Sequence, residues 1–419
     1  MENKPFTTRE TAMRIRHERR RDNQQWILDY LVHQTGRAIN FEFEEREFPA
    51  YVRNYAQIPR AMGRIAAQRE AIGDAAFAAG HKRTALNAYH LAGQQYHRAQ
   101  HSIFEDDNRF KIFYHGKLLR CFERIMKCAD YPIERVEIPW EGHEIQANFH
   151  FIAGKPKAPT VICLPGMDIT KEWLSEPVDR CFTSRGMHAI AIDGPGQGTS
   201  NLRKIRITDD NYERAVKAVV DYLHERKEVD RNRIGLMGVS MGCHWGIRSA
   251  ALDPRIKATA VTASTIGDKV PLFEQSSPRF KQMFMYMSGI HDEARFDRMA
   301  ARMTTAGYGR KIRSAMLMVI GEYDPLSPIE AADEFFDELF GAKEMWVLAD
   351  YYHMNLAPPH FGNLPGYHPM ADWLKDALDG KYKKGHKRYV YIPERGGLGP
   401  YTAPANGKAS VEPNIAPRS

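Results

Sequence analysis

The sequence predicts an α/β protein, a mostly parallel sheet with helices on both faces, preceded by a helical domain. Two observations carry this. From residue 159 onward, short apolar runs (TVICLPG, MHAIAIDGPG, RIGLMGVSMG, IKATAVTAST, AMLMVIGEYD and EMWVLADYYH) alternate with amphipathic stretches, which is how strands buried on both faces read. Before residue 128 the chain is instead rich in Ala, Arg, Gln and Glu, with few strand-like alternations.

A chain of 419 residues exceeds the usual single-domain size, and the elements divide it as follows. Residues 1–130 are expected to form the helical domain, in which Ala85, Ala88, Tyr89, Ala92, Tyr96 and Ala99 make a stripe of small and aromatic residues suited to close helix packing. At Tyr131 the texture changes: IERVEIPW and EIQANFHFI flank a turn at Glu141-Gly142-His143 and open a catalytic domain over 131–380. The alternation fails between Ile266 and Arg310, where Met283, Met285, Met287, Phe273, Phe280, Phe284 and Phe296 sit at helical spacing. This segment is expected to be a helical, cap-like insert, with Phe284 and Met287 lining a substrate pocket if it is not simply packed core. Residues 381–419 read as a basic tail, disordered or wrapped on a partner.

Composition excludes several classes. Hydrophobic residues make up 43% and charged residues 26%, which suits a globular chain. The net charge of +7 argues little for nucleic acid, because residues 381–419 carry eight Lys or Arg against two Glu and no reader motif accompanies them. No run approaches the ~18 apolar residues of a membrane span, and the first 22 residues lack the apolar stretch of a signal peptide, so a cytoplasmic protein is expected. The five cysteines form no CxxC pair and no HExxH occurs, so neither disulfides, a metal site nor a cofactor is expected. The expected partners are a small-molecule substrate and a second copy of the chain in a homodimer.

The chemistry concentrates in Gly238-Val239-Ser240-Met241-Gly242, which follows the apolar run Ile234 to Met237 and precedes the helix-forming CHWGIRSAAL. This is the nucleophile elbow of an α/β-hydrolase fold: glycines permit a sharp strand-to-helix turn, and the serine stands exposed at the sheet edge. A serine hydroxyl needs a base oriented by an acid, and in this fold both lie downstream, the acid first. Asp324, in GEYDPLSP after the run Ala315 to Ile320, is the expected acid, with Glu322 as its rival. His353, after MWVLADYY, is the expected base, with His360 as the alternative. An oxyanion would be met by the backbone N–H of Met241 and of Met167, the latter in the loop after TVICLPG, where Asp168 is expected to cap a helix starting near Thr170. The stretch Asp193-Gly194-Pro195-Gly196-Gln197-Gly198 lacks the Lys-Ser/Thr ending of a P-loop and reads as a tight structural loop near the site.

Taken together, AYHLAGQQYHRAQ, LPGMDITKEW, DGPGQGTS, GVSMG, GEYDPLSP and YYHMN over residues 60–380 resemble a branch of the α/β-hydrolases with an N-terminal helical domain. That branch includes a 2,6-dihydroxypseudooxynicotine hydrolase, fungal hydrolases that shorten polyketide pigment precursors, and bacterial esterases. The resemblance implies that Ser240, Asp324 and His353 are nucleophile, acid and base, and that the substrate lies between helical domain and core. It also implies a serine hydrolase acting on a carbonyl substrate, through either a C–C bond beside a ketone or an ester; a bound acyl acceptor replacing water is the further alternative.

Overall fold

The computed structural model describes residue 49 and residues 51–154, 157–353 and 357–402. Among the described residues three long helices come first: α1 (Ile58–Ala78), α2 (Lys82–His101) and α3 (Arg109–Cys128). The predicted stripe holds them together. Ala85, Ala92 and Ala99 are fully buried, and Gly73 lies so close to Tyr89 that a Cβ there would sit 2.6 Å from its ring. Asn108 caps α3 by accepting from the N–H groups of Phe110 and Lys111. The part of the helical reading that precedes residue 49 lies outside the described residues.

The catalytic sheet follows: β1 (Ile133–Trp140), β2 (His143–His150), β3 (Ala158–Leu164), α4 (Glu176–Asp179), β4 (His188–Asp193), α5 (Gly198–Leu202), α6 (Asn211–Glu225), β5 (Val229–Val239), α7 (Met241–Leu252) and β6 (Ile256–Thr262). After it come α8 (Val270–Phe273), α9 (Pro278–Ser288), α10 (Glu293–Ala300), β7 (Ala315–Gly321), α11 (Ile329–Glu338), β8 (Lys343–Leu348), α12 (Tyr367–Leu378) and β9 (Lys387–Ile392). The nine strands form one sheet in the order β1-β2-β4-β3-β5-β6-β7-β8-β9. β1 and β2 are an antiparallel hairpin, β2 meets β4 antiparallel, and the seven strands from β4 to β9 are parallel. Strands β3, β4 and β8 are buried along their whole length, as near-continuous apolar runs require. The inserted segment is α8 to α10, as its spacing suggested.

The chain departs from the sequence reading at its C-terminal side. Residues 387–392, assigned to a basic tail, are the ninth strand, paired in parallel with β8. Val390 and Ile392 are fully buried, and Arg388, one of the charges that suggested a tail, donates to Glu344 at 3.0 Å, with His386 at 2.8 Å from the same carboxylate. Ending the chain after residue 384 would remove both aliphatic side chains and expose the apolar surface they cover, a loss of about 3–6 kcal/mol, and leave Glu344 buried without the Arg388 guanidinium. Such a truncated protein is expected to be insoluble or to melt far below the full chain in a thermal unfolding experiment. Retention of the full-length melting temperature would mean that β9 contributes nothing. Residues 403–419 lie outside the described residues.

Buried neutral imidazoles sit within the helical domain and at its boundary with the sheet, and His115 of α3 reaches across that boundary to Thr199 of α5. His115 Nε2 lies 3.0 Å from Thr199 Oγ1, His150 Nδ1 lies 2.9 Å from the Tyr131 hydroxyl, and His90 pairs with Gln94 at 3.0 Å. Burial holds all three below the usual histidine range, His90 at about 4 and His115 and His150 at about 3, with Lys171 adding to the effect on His115. Because the folded chain resists protonation that the unfolded chain accepts below about pH 6.5, their contribution is full above that value and is lost as pH falls toward 4. Three such groups lose about 4 kcal/mol between pH 7.5 and 5.5, at about 1.4 kcal/mol each. Thermal midpoints at the two pH values are therefore expected to differ by roughly 10 °C, lower in acid. Equal midpoints would exclude the effect.

Candidate active site

Ser240 sits between the end of β5 and the start of α7 with φ 55° and ψ −123°, a left-handed backbone that non-glycine residues rarely adopt. The conformation is enforced by its neighbours. A Cβ on Gly242 would lie 2.2 Å from the Leu164 carbonyl oxygen, and one on Gly238 would lie 2.3 Å from the Gly242 carbonyl oxygen. The turn is tied down by Ser240 N–H donating to Thr262 O at 3.1 Å and by the Thr265 hydroxyl donating to Ser240 O at 3.0 Å. The serine side chain is thereby directed out of the C-terminal edge of the parallel sheet.

Asp324 and His353 arrive on the segments that follow β7 and β8. A Cβ on Gly321, at the end of β7, would lie 2.0 Å from the Tyr352 carbonyl oxygen, so the segments after β7 and β8 touch backbone to backbone. This brings His353 Nδ1 to 3.0 and 2.9 Å from the two Asp324 carboxylate oxygens and His353 Nε2 to 3.0 Å from Ser240 Oγ. Asp324 can only accept, so the Nδ1 proton is the donor and Nε2 is left to accept from the serine hydroxyl. Asp324 is 3% exposed and also accepts from Leu326 N–H at 2.9 Å.

The rivals are placed elsewhere. Glu322 accepts from Asp350 N–H at 2.8 Å and braces the turn after β8, while His360 Nε2 donates to Ala349 O at 2.6 Å and is pushed down by burial. Asp168 does not cap the following turn, which is a short 3-10 segment Lys171–Trp173 without a side-chain cap; its carbonyl instead accepts from His97 Nε2 at 2.7 Å. Met167 and Met241 are both buried, and Gly166 faces the serine, with a Cβ there 3.1 Å from Ser240 Cβ. The described residues contain no group of three or more His, Cys, Asp or Glu able to hold a metal, and no helix long and apolar enough to cross a membrane.

Two cavities flank the 166–170 loop. One, of about 260 Å³, lies between α2 and the strand ends and is lined by Gln94, Arg98, Pro165, Trp173, Val239 and Tyr367. The other is narrow, about 30 Å³, and is bounded by His97, His101, Lys111, Met167, Tyr286 and Met287. In the second, Lys111 donates to Gln100 O and Ile103 O at 3.1 and 2.9 Å, and burial lowers its pKa to about 7. Met287 thus borders a cavity, whereas Phe284 is turned into the insert against Phe273 and Phe296 at ring distances of 5.2 and 6.1 Å. Helical spacing puts both residues on one apolar face, and their neighbours differ along it.

A nine-stranded sheet with a serine at its strand-to-helix elbow and a histidine and carboxylate after later strands is that of an α/β hydrolase. The family model of the FrsA-like esterases matches residues 74–337, and the chain belongs to that family. The chain is 29% identical over 273 residues to the 2,6-dihydropseudooxynicotine hydrolase of Paenarthrobacter nicotinovorans, covering 63% of this chain and 70% of that one. It is 31% identical over 246 residues to the α/β hydrolase xenA of Xenoacremonium sinensis, of which it spans 56%. The crystal structure of a 2,6-dihydroxy-pseudo-oxynicotine hydrolase superposes with a TM-score of 0.68 at 22% identity, over 87% of this chain and 99% of that one, and shares its fold.

The two insert residues are separable by experiment. Phe284→Ala empties a fully buried aromatic site and is expected to cost about 3–5 kcal/mol of stability. Met287→Ala is expected to change KM or substrate preference at nearly unchanged stability. Denaturant unfolding and steady-state kinetics on both variants check this, and the reverse pattern would exchange their roles.

Proposed function

We propose that the protein is a serine hydrolase that acts through an acyl-enzyme on a small aromatic or apolar carbonyl compound, with Ser240 as nucleophile, His353 as base and Asp324 as the orienting acid. The observation that carries this is the unbroken hydrogen-bonded chain Ser240 Oγ, His353 Nε2, His353 Nδ1, Asp324 at 2.9–3.0 Å. Ser240 Oγ attacks the carbonyl carbon while its proton passes to His353 Nε2; Asp324 stabilises the imidazolium that forms. The backbone N–H groups of Met241 and Met167 receive the negative oxygen. Collapse expels the leaving group, which takes the proton from His353, and water activated by the same histidine releases the acid.

Two bonds suit this machinery. Cleavage of a C–C bond beside a ketone requires the leaving carbon to be protonated, and is the reading supported by the likeness to the branch described above. Ester cleavage protonates an oxygen, and is favoured by the description of the family itself. An assay of aryl esters beside aryl 1,3-diketones, with products identified, separates the two, and product formation from added alcohols would reveal acyl transfer.

Ser240→Ala deletes the attacking oxygen and keeps the pocket, so turnover is expected to drop by about 10⁴-fold or more with ligand binding retained. His353→Ala is expected to lose nearly as much, because the three groups act as a unit. An organophosphonate should add its mass to the peptide containing GVSMG. Full activity in the Ser240→Ala protein would end the nucleophilic mechanism.

A further inference from the structure

The loop Asp193 to Gly198, singled out by its glycines, has no part in the mechanism so far. Its one long uncharged polar side chain, Gln197, is 2% exposed and fully engaged. Gln197 Nε2 donates to the Gly166 carbonyl at 2.7 Å and more weakly to the Pro165 carbonyl at 3.3 Å. Its Oε1 accepts from the Tyr212 hydroxyl at 2.6 Å and from Gly194 N–H at 3.2 Å. Tyr212 in turn lies flat on Trp245 of α7, the helix that starts at the nucleophile, with ring centroids 3.9 Å apart and planes 3° apart. The loop is shaped for this arrangement: a Cβ on Gly194 would lie 2.3 Å from the Tyr212 ring, and a Cβ on Gly198 2.2 Å from the Asp193 carboxylate.

The consequence lies in the geometry of one peptide unit. The carbonyl of Gly166 and the N–H of Met167 belong to the same planar trans amide and point in opposite directions. Whatever holds the Gly166 oxygen therefore aims the Met167 N–H. Ile169 N–H also reaches that oxygen, at 3.2 Å, but from within the same loop; Gln197 holds it from the neighbouring crossover. Asp193 fixes that crossover, accepting from Lys171 Nζ at 2.8 Å and from Lys171 and Thr199 N–H at 2.9 Å each. Burial alone would raise the Asp193 carboxyl, but the Lys171 ammonium and these donors outweigh it and hold it below the ordinary range.

We propose that Gln197 is a positioning residue for oxyanion stabilisation: by clamping the Gly166 carbonyl, and through Tyr212 and Trp245 keeping register with the nucleophile helix, it presents the Met167 N–H to the developing negative oxygen. This rests on the reading of Met167 as an oxyanion donor. The clamp acts on the transition state and not on substrate docking, so its loss falls on kcat.

The test compares Gln197→Met, Gln197→Glu and Tyr212→Phe with the parent on an aryl ester across pH 5.5–8.5, with melting temperatures measured alongside and Ser240→Ala as the mechanistic control. Gln197→Met keeps the length but has no donor, and kcat is expected to fall ~100-fold with KM within about threefold. Gln197→Glu can donate to the Gly166 carbonyl only when protonated, so its kcat relative to the parent should exceed that of Gln197→Met and rise toward acid pH. Tyr212→Phe keeps the ring on Trp245 and removes one anchor of Gln197, and a smaller drop in kcat, about three- to tenfold, is expected at constant KM. Gln197→Met with parental kcat, or Gln197→Glu as slow as Gln197→Met at every pH, overturns the clamp. A lowered melting temperature with unchanged kcat does so as well and leaves Gln197 a packing residue. If Ser240→Ala is inactive in those cases, only the clamp has failed; if Ser240→Ala turns over, the proposed function has failed.

Discussion

The contact on which the site depends is one between two backbones. Helix α7 starts so near the end of β3 that Gly242 leaves no space for a side chain beside the Leu164 carbonyl, and Gly238 leaves none beside Gly242. Close-packed backbone cannot yield as a flexible side chain can, so the turn at Ser240 has a single solution, and that solution is strained. Strain of this kind costs on the order of 1–3 kcal/mol and persists only where the surroundings over-determine it. Here the surroundings are the parallel strands on either side: Thr262 at the end of β6 holds the Ser240 N–H, and the loop after β3 packs against the serine itself. The same device recurs where Gly321 meets the Tyr352 carbonyl, which is why His353 and Asp324, on segments 29 residues apart, meet at hydrogen-bond distance.

Buried charge does a different kind of work. Lys171 lies between Asp193 and Glu172 at 2.8 and 2.6 Å, Lys281 in the insert is fully buried between Glu274, Glu293 and Asp297, and Glu70 gathers Lys117, Arg120 and Arg124 in the helical domain. Desolvation offsets most of the attraction in such clusters, so they add little to net stability. They do penalise alternatives heavily, because moving one partner strands the others. Each cluster joins segments that share no regular hydrogen-bonding ladder: two loops, two insert helices, and two helices of the N-terminal domain.

What could be read from the sequence follows from how local the signal is. The elbow, the acid loop and the late histidine are each announced by residues within a few positions of themselves, and the apolar runs predict the parallel sheet because strands buried on both faces show no competing polar pattern. Strand β9 was missed for the opposite reason. It is an edge strand with only Val390 and Ile392 buried, and Lys387 and Arg388, with the basic residues around them, give it the composition of a tail. The alternation in YVYI was the available signal, outweighed by the charges whose partner, Glu344, lies more than forty residues away. Phe284 and Met287 share one helical face, and no periodicity distinguishes the residue under a phenylalanine cluster from the one at a cavity. Gln197 is harder still, since its effect passes through the orientation of a peptide plane in another loop.

That loop also explains why a helical domain precedes the sheet. Between Gly166 and Asp168 two nearly successive carbonyls are held from opposite sides: Gly166 O by Gln197 of the catalytic domain, Asp168 O by His97 of α2. His97 is itself fixed, stacked on His101 at 5.4 Å and edge-on to Trp173 at 5.2 Å. The peptide between the two anchors carries the Met167 N–H, so its orientation is set jointly by both domains. Helix α2 likewise walls both cavities beside the loop, facing strand ends in the larger one and the insert helix α9 in the narrow one. Through His97 and the residues of α2 that line both cavities, the helical domain touches the loop that follows β3, so the two domains meet beside Ser240.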